Sequence, residues 1–320
     1  MKLFISHQSA LEYWRTYREL PRSSARRRCD VVPPSELPTV EPLESSELTL
    51  PLHIMLGDPN ARRVSQAISQ TVKQHVFRAK SPVGCFINVG GGPIVSSPEF
   101  CFLQMAGKLS LIELISLGYE LCGTYSMPVP SVQELPAWGF YSREPLTSTK
   151  KLGAFVDNMS GVKGVQKAKR ALRYLQDGSA SPMETNLTIL LTLPYKLGGY
   201  GFPLPKLNSR IVPVKSAKQT AGKIFYSCDL FWPDYDLAVE YDSDFFHTGS
   251  ERIAEDSKRR NTLSSIGVLV ITVTNRQIRS TTEFEKAAKL IAGNMDRRLL
   301  YKNPGFATAH RELRSQLFLR

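Results

Sequence analysis

The chain has 320 residues, 42% of them apolar, which leaves room for two cores of ordinary size. It carries 41 Lys+Arg against 29 Asp+Glu, a formal net charge of +12, and this excess calls for an anionic partner, nucleic acid being the commonest. The five cysteines (Cys29, Cys85, Cys101, Cys122, Cys228) form no CxxC pair, so a disulfide framework or a zinc knuckle is not expected.

No run reaches the length of a membrane span, and "MKLFISHQSALEYWR" lacks the apolar stretch of a secretory signal. A cytoplasmic protein with no membrane partner is expected. In chain order, "SALEYWRTYREL" reads as a first helix with Ser9 as its N-cap. Residues 21–51, rich in Pro, Ser and charge, read as a long loop, and the Arg26-Arg27-Arg28 run within it reads as solvated or phosphate-touching. "LPLHIML" is a strand, and strands follow before a helix opens at Ser97-Pro98-Glu99. The Gly90-Gly91-Gly92 run sits between two strand patterns, which suits a tight turn better than a phosphate loop. "SLIELISLGYELCGTY" is an amphipathic helix.

The charge is unevenly spread. Residues 1–146 hold 14 basic and 13 acidic side chains, residues 147–220 hold 12 and 3, and residues 221–320 hold 15 and 13. In "GVKGVQKAKRALRYL" the spacing puts Lys163, Lys167 and Arg170 at i, i+4 and i+7 on one helix face. That ridge is either a solvated surface or a DNA phosphate contact. "SPMETNLTILLTLP" is a helix with Ser181 as N-cap and Pro182 at its first position. "KIFYSCDLFWPDYDLAVEYDS" is a hairpin, "SERIAEDSKRRNTLSSIG" a helix, "VLVITVT" a buried strand, "TTEFEKAAKLIAGNMDRRLL" a helix, and the tail adds a short one. The layout is α/β around a small mixed sheet.

The hairpin raises the chemical question. Residues 228–247 contain six carboxylates and no Lys or Arg. With Trp232 paired to Leu237, the ladder sets Asp229 opposite Glu240, with Asp242 on the same face and Cys228, Leu230, Trp232, Leu237, Val239 and Tyr241 on the other. Like charges opposed across a sheet repel. A divalent cation held by oxygens, Mg2+ or Mn2+, would relieve them, as would several basic side chains from elsewhere. Asp234 and Asp236 are ordinary turn residues. Glu184, three residues after Ser181, either completes a capping box or joins the carboxylates.

Glu184, Asp229, Glu240-Tyr241-Asp242, His247, Asp256 and Arg260, followed by "IGVLVITVTNRQI", together resemble the very-short-patch-repair (Vsr)-like endonuclease domain of the PD-(D/E)xK superfamily, whose order is a helical Glu, a strand Asp and an ExK on the hairpin partner. The resemblance covers residues 181–300 and implies a restriction-endonuclease-like core and a metal-dependent DNA endonuclease or nickase. It gives Asp229, Glu240 and Glu184 the metal, and His247 the role of proton acceptor or electrostatic partner. Asp242 stands where the superfamily carries Lys. Arg260 either meets phosphate or pairs with Asp256 at i, i+4. "LPLHIML…IVSSPEFCFLQMA…LSLIELISLGYELCGTY" resembles the domain of AbiEi-type antitoxins, without their N-terminal winged helix, and implies a protein partner. The organisation expected is an N-terminal α+β domain at 1–146, a basic helical connector at 147–180, the nuclease-like domain at 181–300 and a basic tail at 301–320. The alternative function is a non-catalytic, antitoxin-like or regulatory nucleic-acid-binding protein.

Overall fold

The computed structural model describes residues 2–16, 27–29, 32–36, 48–63, 66–77, 84–89, 93–129, 134–211, 226–243, 259 and 261–318. The chain divides into two compact units, 1–175 and 176–320, and both are α/β, with a mixed sheet flanked by helices. Among the described residues no helix is long and apolar enough to cross a membrane.

The first unit is built on a six-stranded sheet. Its strands are β1 (Phe4–Ile5), β2 (Arg27–Cys29), β3 (Leu52–Leu56), β4 (Val72–Val76), β5 (Phe86–Asn88) and β6 (Ile94–Ser96), in the order β2-β5-β6-β1-β3-β4. β1 lies parallel to β6, and β3 lies parallel to β4; the remaining pairs are antiparallel. Arg27 and Arg28 thus lie in an edge strand paired with β5, where the sequence suggested loop. β5 and β6 pair across the glycine run, whose residues 90–92 lie outside the described ones.

The helices of this unit are α1 (His7–Thr16), α2 (Gln66–Thr71), α3 (Pro98–Ala106), α4 (Leu111–Cys122), α5 (Thr149–Asp157) and α6 (Val165–Leu172). α1 starts two residues before Ser9, which is buried inside it and accepts from the His53 amide at 2.9 Å instead of capping. α3 is capped by Ser97, whose Oγ accepts from the Phe100 amide, and every residue of the helix is buried. α4 has a full capping box between Ser110 and Glu113. Under α4, Arg15 holds buried Glu120 through two bonds of 2.8 and 2.7 Å, and Arg143 donates to the carbonyls of Trp14, Tyr125 and Glu120. α5 and α6 pack on each other and on α3 and α4. The segment expected as a connector is therefore part of this unit's core up to residue 175, because Leu152, Val156, Ala168 and Ala171 are fully buried.

The second unit has a four-stranded sheet, β9 (Lys206–Ile211), β10 (Tyr226–Trp232), β11 (Leu237–Asp242) and β12 (Leu269–Thr274), in the order β12-β11-β10-β9; a short pair, β7 (Tyr125–Ser126) and β8 (Tyr141–Ser142), belongs to the first unit. β12 runs parallel to β11 and the other pairs are antiparallel. The sequence suggested a buried β12, yet among the described strands it is at the sheet edge and Leu269 is 45% exposed. The helices are α7 (Pro182–Thr192), α8 (Asn275–Arg279), α9 (Thr281–Asn294) and α10 (Phe306–Phe318), with a helical turn at residues 261–265. The expected tail is α10, which packs on α7 and on the turn at Tyr195–Leu197. His310 fixes that contact, donating from Nδ1 to the Gly198 carbonyl at 2.6 Å.

Candidate carboxylate site

The hairpin turns as its sequence suggests. Trp232 pairs with Leu237, and Asp236 takes the left-handed conformation at φ 45 that Asp tolerates better than most residues. Trp232 is buried and its indole donates to the Pro203 carbonyl at 2.8 Å, anchoring the turn. Beyond Leu230↔Val239 the ladder changes. The Tyr241 amide donates at 2.8 Å to Asp229 Oδ2, a side-chain oxygen. In the neighbouring ladder, Asn208 stands opposite Asp229, between the pairs Cys228↔Ser209 and Leu230↔Leu207, with its own φ at 45.

This local distortion changes the expected faces. Cys228 joins Tyr226 and Ala238 in a buried cluster, and its thiol hydrogen-bonds to the Glu240 carboxylate. Burial first, and then Glu240, pushes the thiol up to about 12. Glu240 therefore shares its side with Cys228, and Asp229 is drawn into the ladder toward Tyr241.

Glu184 arrives from the first turn of α7. Ser181 caps that helix, accepting from the Glu184 amide at 3.1 Å. The Glu184 carboxylate reaches back to the Ala180 amide at 2.9 Å, one residue ahead of the N-cap, and accepts from Asn208 Nδ2 at 2.7 Å. Asn208 also donates to the Gly178 carbonyl at 2.9 Å. The capping reading of Glu184 is thus realised in a shifted form: its carboxylate tethers the residue ahead of the N-cap. Burial, and then the Asp229 charge, raises its proton affinity to about 7. Asp229 is raised by burial, partly offset by the Tyr241 amide and then Arg259.

Glu240 is held differently. Arg259 Nη1 donates to its Oε2 at 3.0 Å, and Nη2 binds both Oε1 and the Ser227 carbonyl. Burial still raises Glu240, with Arg259 opposing and Asp229 adding to the shift. Among the described residues no three His, Cys, Asp or Glu side chains gather as a metal cluster. Glu184 lies within the electrostatic reach of Asp229, and Glu240 sits in the Arg259 fork.

Asp242 ends β11 opposite Thr274. His247, Asp256 and Arg260 lie outside the described residues. The basic ridge does not form as one face. α6 begins at Val165, so Lys163 lies in the preceding turn; Lys167 donates to the Leu109 carbonyl at 2.7 Å; Arg170 is exposed. Sequence reasoning missed Arg259 and Asn208. Arg259 could have been found as the other member of the Arg259-Arg260 pair, since neighbouring helical residues point about 100° apart. An Asn amid the strand pattern "KLNSRI" was the signal for Asn208.

Two uncharacterized proteins of Mycobacterium tuberculosis, one from strain CDC 1551 and one from strain H37Rv, are each 26% identical to this chain over 142 residues, 44% of the chain and 47% of the relative. The chain spans about half the length of the curated relatives it matches. No family model and no solved structure matches it.

Proposed function

We propose that the second unit is a metal-dependent DNA endonuclease or nickase with the PD-(D/E)xK type of core. The observation that carries this reading is the Glu184–Asp229 pair: one buried and one half-buried carboxylate, from a helix and a strand, each raised in proton affinity and the first raised by the second. Buried like charges persist where a cation or a proton offsets them. The order of helical Glu, strand Asp and hairpin-partner Glu, to which the sequence resemblance points, supports the same reading.

The donor chemistry fits Mg2+ or Mn2+, since Glu184 and Asp229 offer only oxygens and Asn208 holds one of them in place. Glu184 and Asp229 would hold the ion, which would supply positive charge for a phosphodiester under attack. The chain's own groups account for the rest. Without metal the Glu184 carboxylate is raised to about 7, so at neutral pH it would give up its proton on taking the ion. Arg259, bound to Glu240, brings to the hairpin the cation that Asp242 does not provide. The net +12 of the chain favours DNA as the substrate.

A second reading has one observation in its favour. The Arg259 fork already neutralises Glu240, which suits a nuclease-like module that binds nucleic acid or protein without cleaving. Nicking of supercoiled DNA in Mg2+ by the full chain, beside Glu184→Gln, separates the two. Catalysis predicts nicking that falls at least a hundredfold in the variant with its melting temperature little changed. No nicking by purified wild type in Mg2+ or Mn2+ would favour the binding module.

A further inference from the structure

Three of the chain's five histidines meet in the first unit, outside anything the carboxylate site uses. His7 stacks on His75 with ring centroids 3.6 Å apart, and His75 Nε2 lies 3.1 Å from His53 Nδ1. Lys108 Nζ lies 3.1 Å from the same His53 nitrogen. An ammonium can only donate, so His53 Nδ1 accepts and the neutral ring carries its proton on Nε2. His7, at φ 49, is held by two bonds: its amide donates to Gln104 Oε1 at 2.8 Å and its Nδ1 lies 3.0 Å from Ser6 Oγ.

His7 and His75 of this cluster line a cavity of about 690 Å3, a size that suits a small-molecule ligand, and His53 stands behind them. Lys108, Arg62 and Lys163 line it, while Met55, Phe77 and Leu103 supply an apolar wall. No Asp or Glu is among its described lining residues. Gly164 explains how Lys163 comes to be there. With φ at 91, Gly164 packs so closely on the turn at Gly107 that a Cβ would lie 2.9 Å from the Gly107 nitrogen. The turn carrying Lys163 is thereby fixed beside the one carrying Lys108.

The electrostatics are those of a site short of negative charge. Burial lowers His7 to about 2, His75 to about 3 and His53 to about 4, with Lys108 adding to each shift. Lys108 is itself lowered, by burial and then by Lys73. The imidazoles therefore stay neutral and act as polar wall and acceptor, and the lysines and Arg62 carry the positive charge.

We propose that this cavity binds the phosphoryl group of a small ligand of mononucleotide size, with Lys108, Arg62 and Lys163 around the anion and the apolar wall against the rest of the molecule. Lys108 keeps two N–H donors beyond the one engaged by His53, and Arg62 adds a planar fork suited to phosphate oxygens. The cavity is concave and half apolar in its named walls, which favours a compact ligand with a flat apolar body over a bare ion.

The test is isothermal titration of the full chain, in EDTA so that the carboxylate site stays free of metal, with AMP, inorganic phosphate and adenosine as probes. AMP is expected to bind, phosphate to bind at least tenfold more weakly, and adenosine to give no heat. Phosphate binding as tightly as AMP would overturn the mononucleotide-sized ligand and leave an inorganic-anion site. Arg62→Gln and Lys108→Gln should each weaken AMP at least tenfold; Arg62 is exposed, so the first of these leaves the core untouched. The proposal is overturned if no phosphorylated probe binds, if adenosine binds as well as AMP, or if AMP binding survives both substitutions.

Discussion

The two units bury titratable groups of opposite kind. In the first, three imidazoles and Lys108 crowd together, and their proton affinities fall. In the second, Glu184, Asp229 and Glu240 are each raised by burial, and the Asp229 charge adds to the shifts of the other two. Each cluster is destabilising by itself, and each would be relieved by the charge it lacks, the proposed anion in one case and the proposed cation in the other. The contrast teaches that shifted groups reveal a ligand's sign before its identity. Glu120, equally buried, shows the opposite outcome: Arg15 is on hand and its carboxyl is lowered in spite of burial.

The sharpest way to break the comparison is Asp229→Asn, which removes charge from the second cluster while keeping its shape. DNA nicking should fall at least a hundredfold, measured by relaxation of supercoiled plasmid, while the heat of AMP binding to the first unit stays as in wild type. Loss of both together would mean that the substitution unfolds the chain. The next largest effect is structural. Trp232→Ala should cost about 3–5 kcal/mol, read as a shift in urea midpoint, because a buried indole and its bond to the Pro203 carbonyl are lost.

A pH series sharpens the contrast without any substitution. The histidines are depressed below their ordinary value of 6.5. Their contribution to stability is present above that value and lost as pH falls toward about 4. Glu184 is raised from 4.5 to about 7, so its contribution is present below 4.5 and lost as pH rises through 7. In metal-free buffer, acidification from pH 7 to 4.5 should therefore weaken amide protection in Leu52–Leu56 and strengthen it in Tyr226–Trp232, measured by hydrogen exchange corrected for intrinsic rates. Protection moving the same way in both strands would refute the assignment. The smallest effect belongs to Lys167. Its bond to the Leu109 carbonyl makes Lys167→Met a loss of about 1 kcal/mol in stability with almost no change in the salt dependence of DNA binding. A salt slope reduced by about one would return Lys167 to the phosphate ridge.

Much of this arrangement was legible in the residues. Ser97-Pro98 and Ser181-Pro182 mark helix starts because capping is local chemistry, and both helices begin there. The hairpin register followed from the turn residues between Trp232 and Leu237. What local pattern could not supply was set by distant partners. Ser9 looks like a cap but accepts from the His53 amide, 44 positions away. Alternation put Asp229 and Glu240 on one face, whereas the Tyr241 amide and Asn208 distort the ladder there. Lys163, Lys167 and Arg170 form a ridge only if the helix spans all three, and Gly164 starts it too late. The histidine pocket gave no signal at all, because His7, His53 and His75 lie on three separate elements.

The central claim, that the second unit's carboxylates await a cation, is tested most directly by calorimetric titration of Mn2+ into the full chain at pH 6.5 and at pH 8.5. Glu184, raised to about 7, must release its proton to bind metal at the lower pH and has already lost it at the higher. The account predicts Mn2+ binding with about three-quarters of a proton released at pH 6.5, almost none at pH 8.5, and no binding at either pH for Asp229→Asn. No Mn2+ binding by wild type at pH 8.5, or binding that Asp229→Asn leaves unchanged, would contradict it.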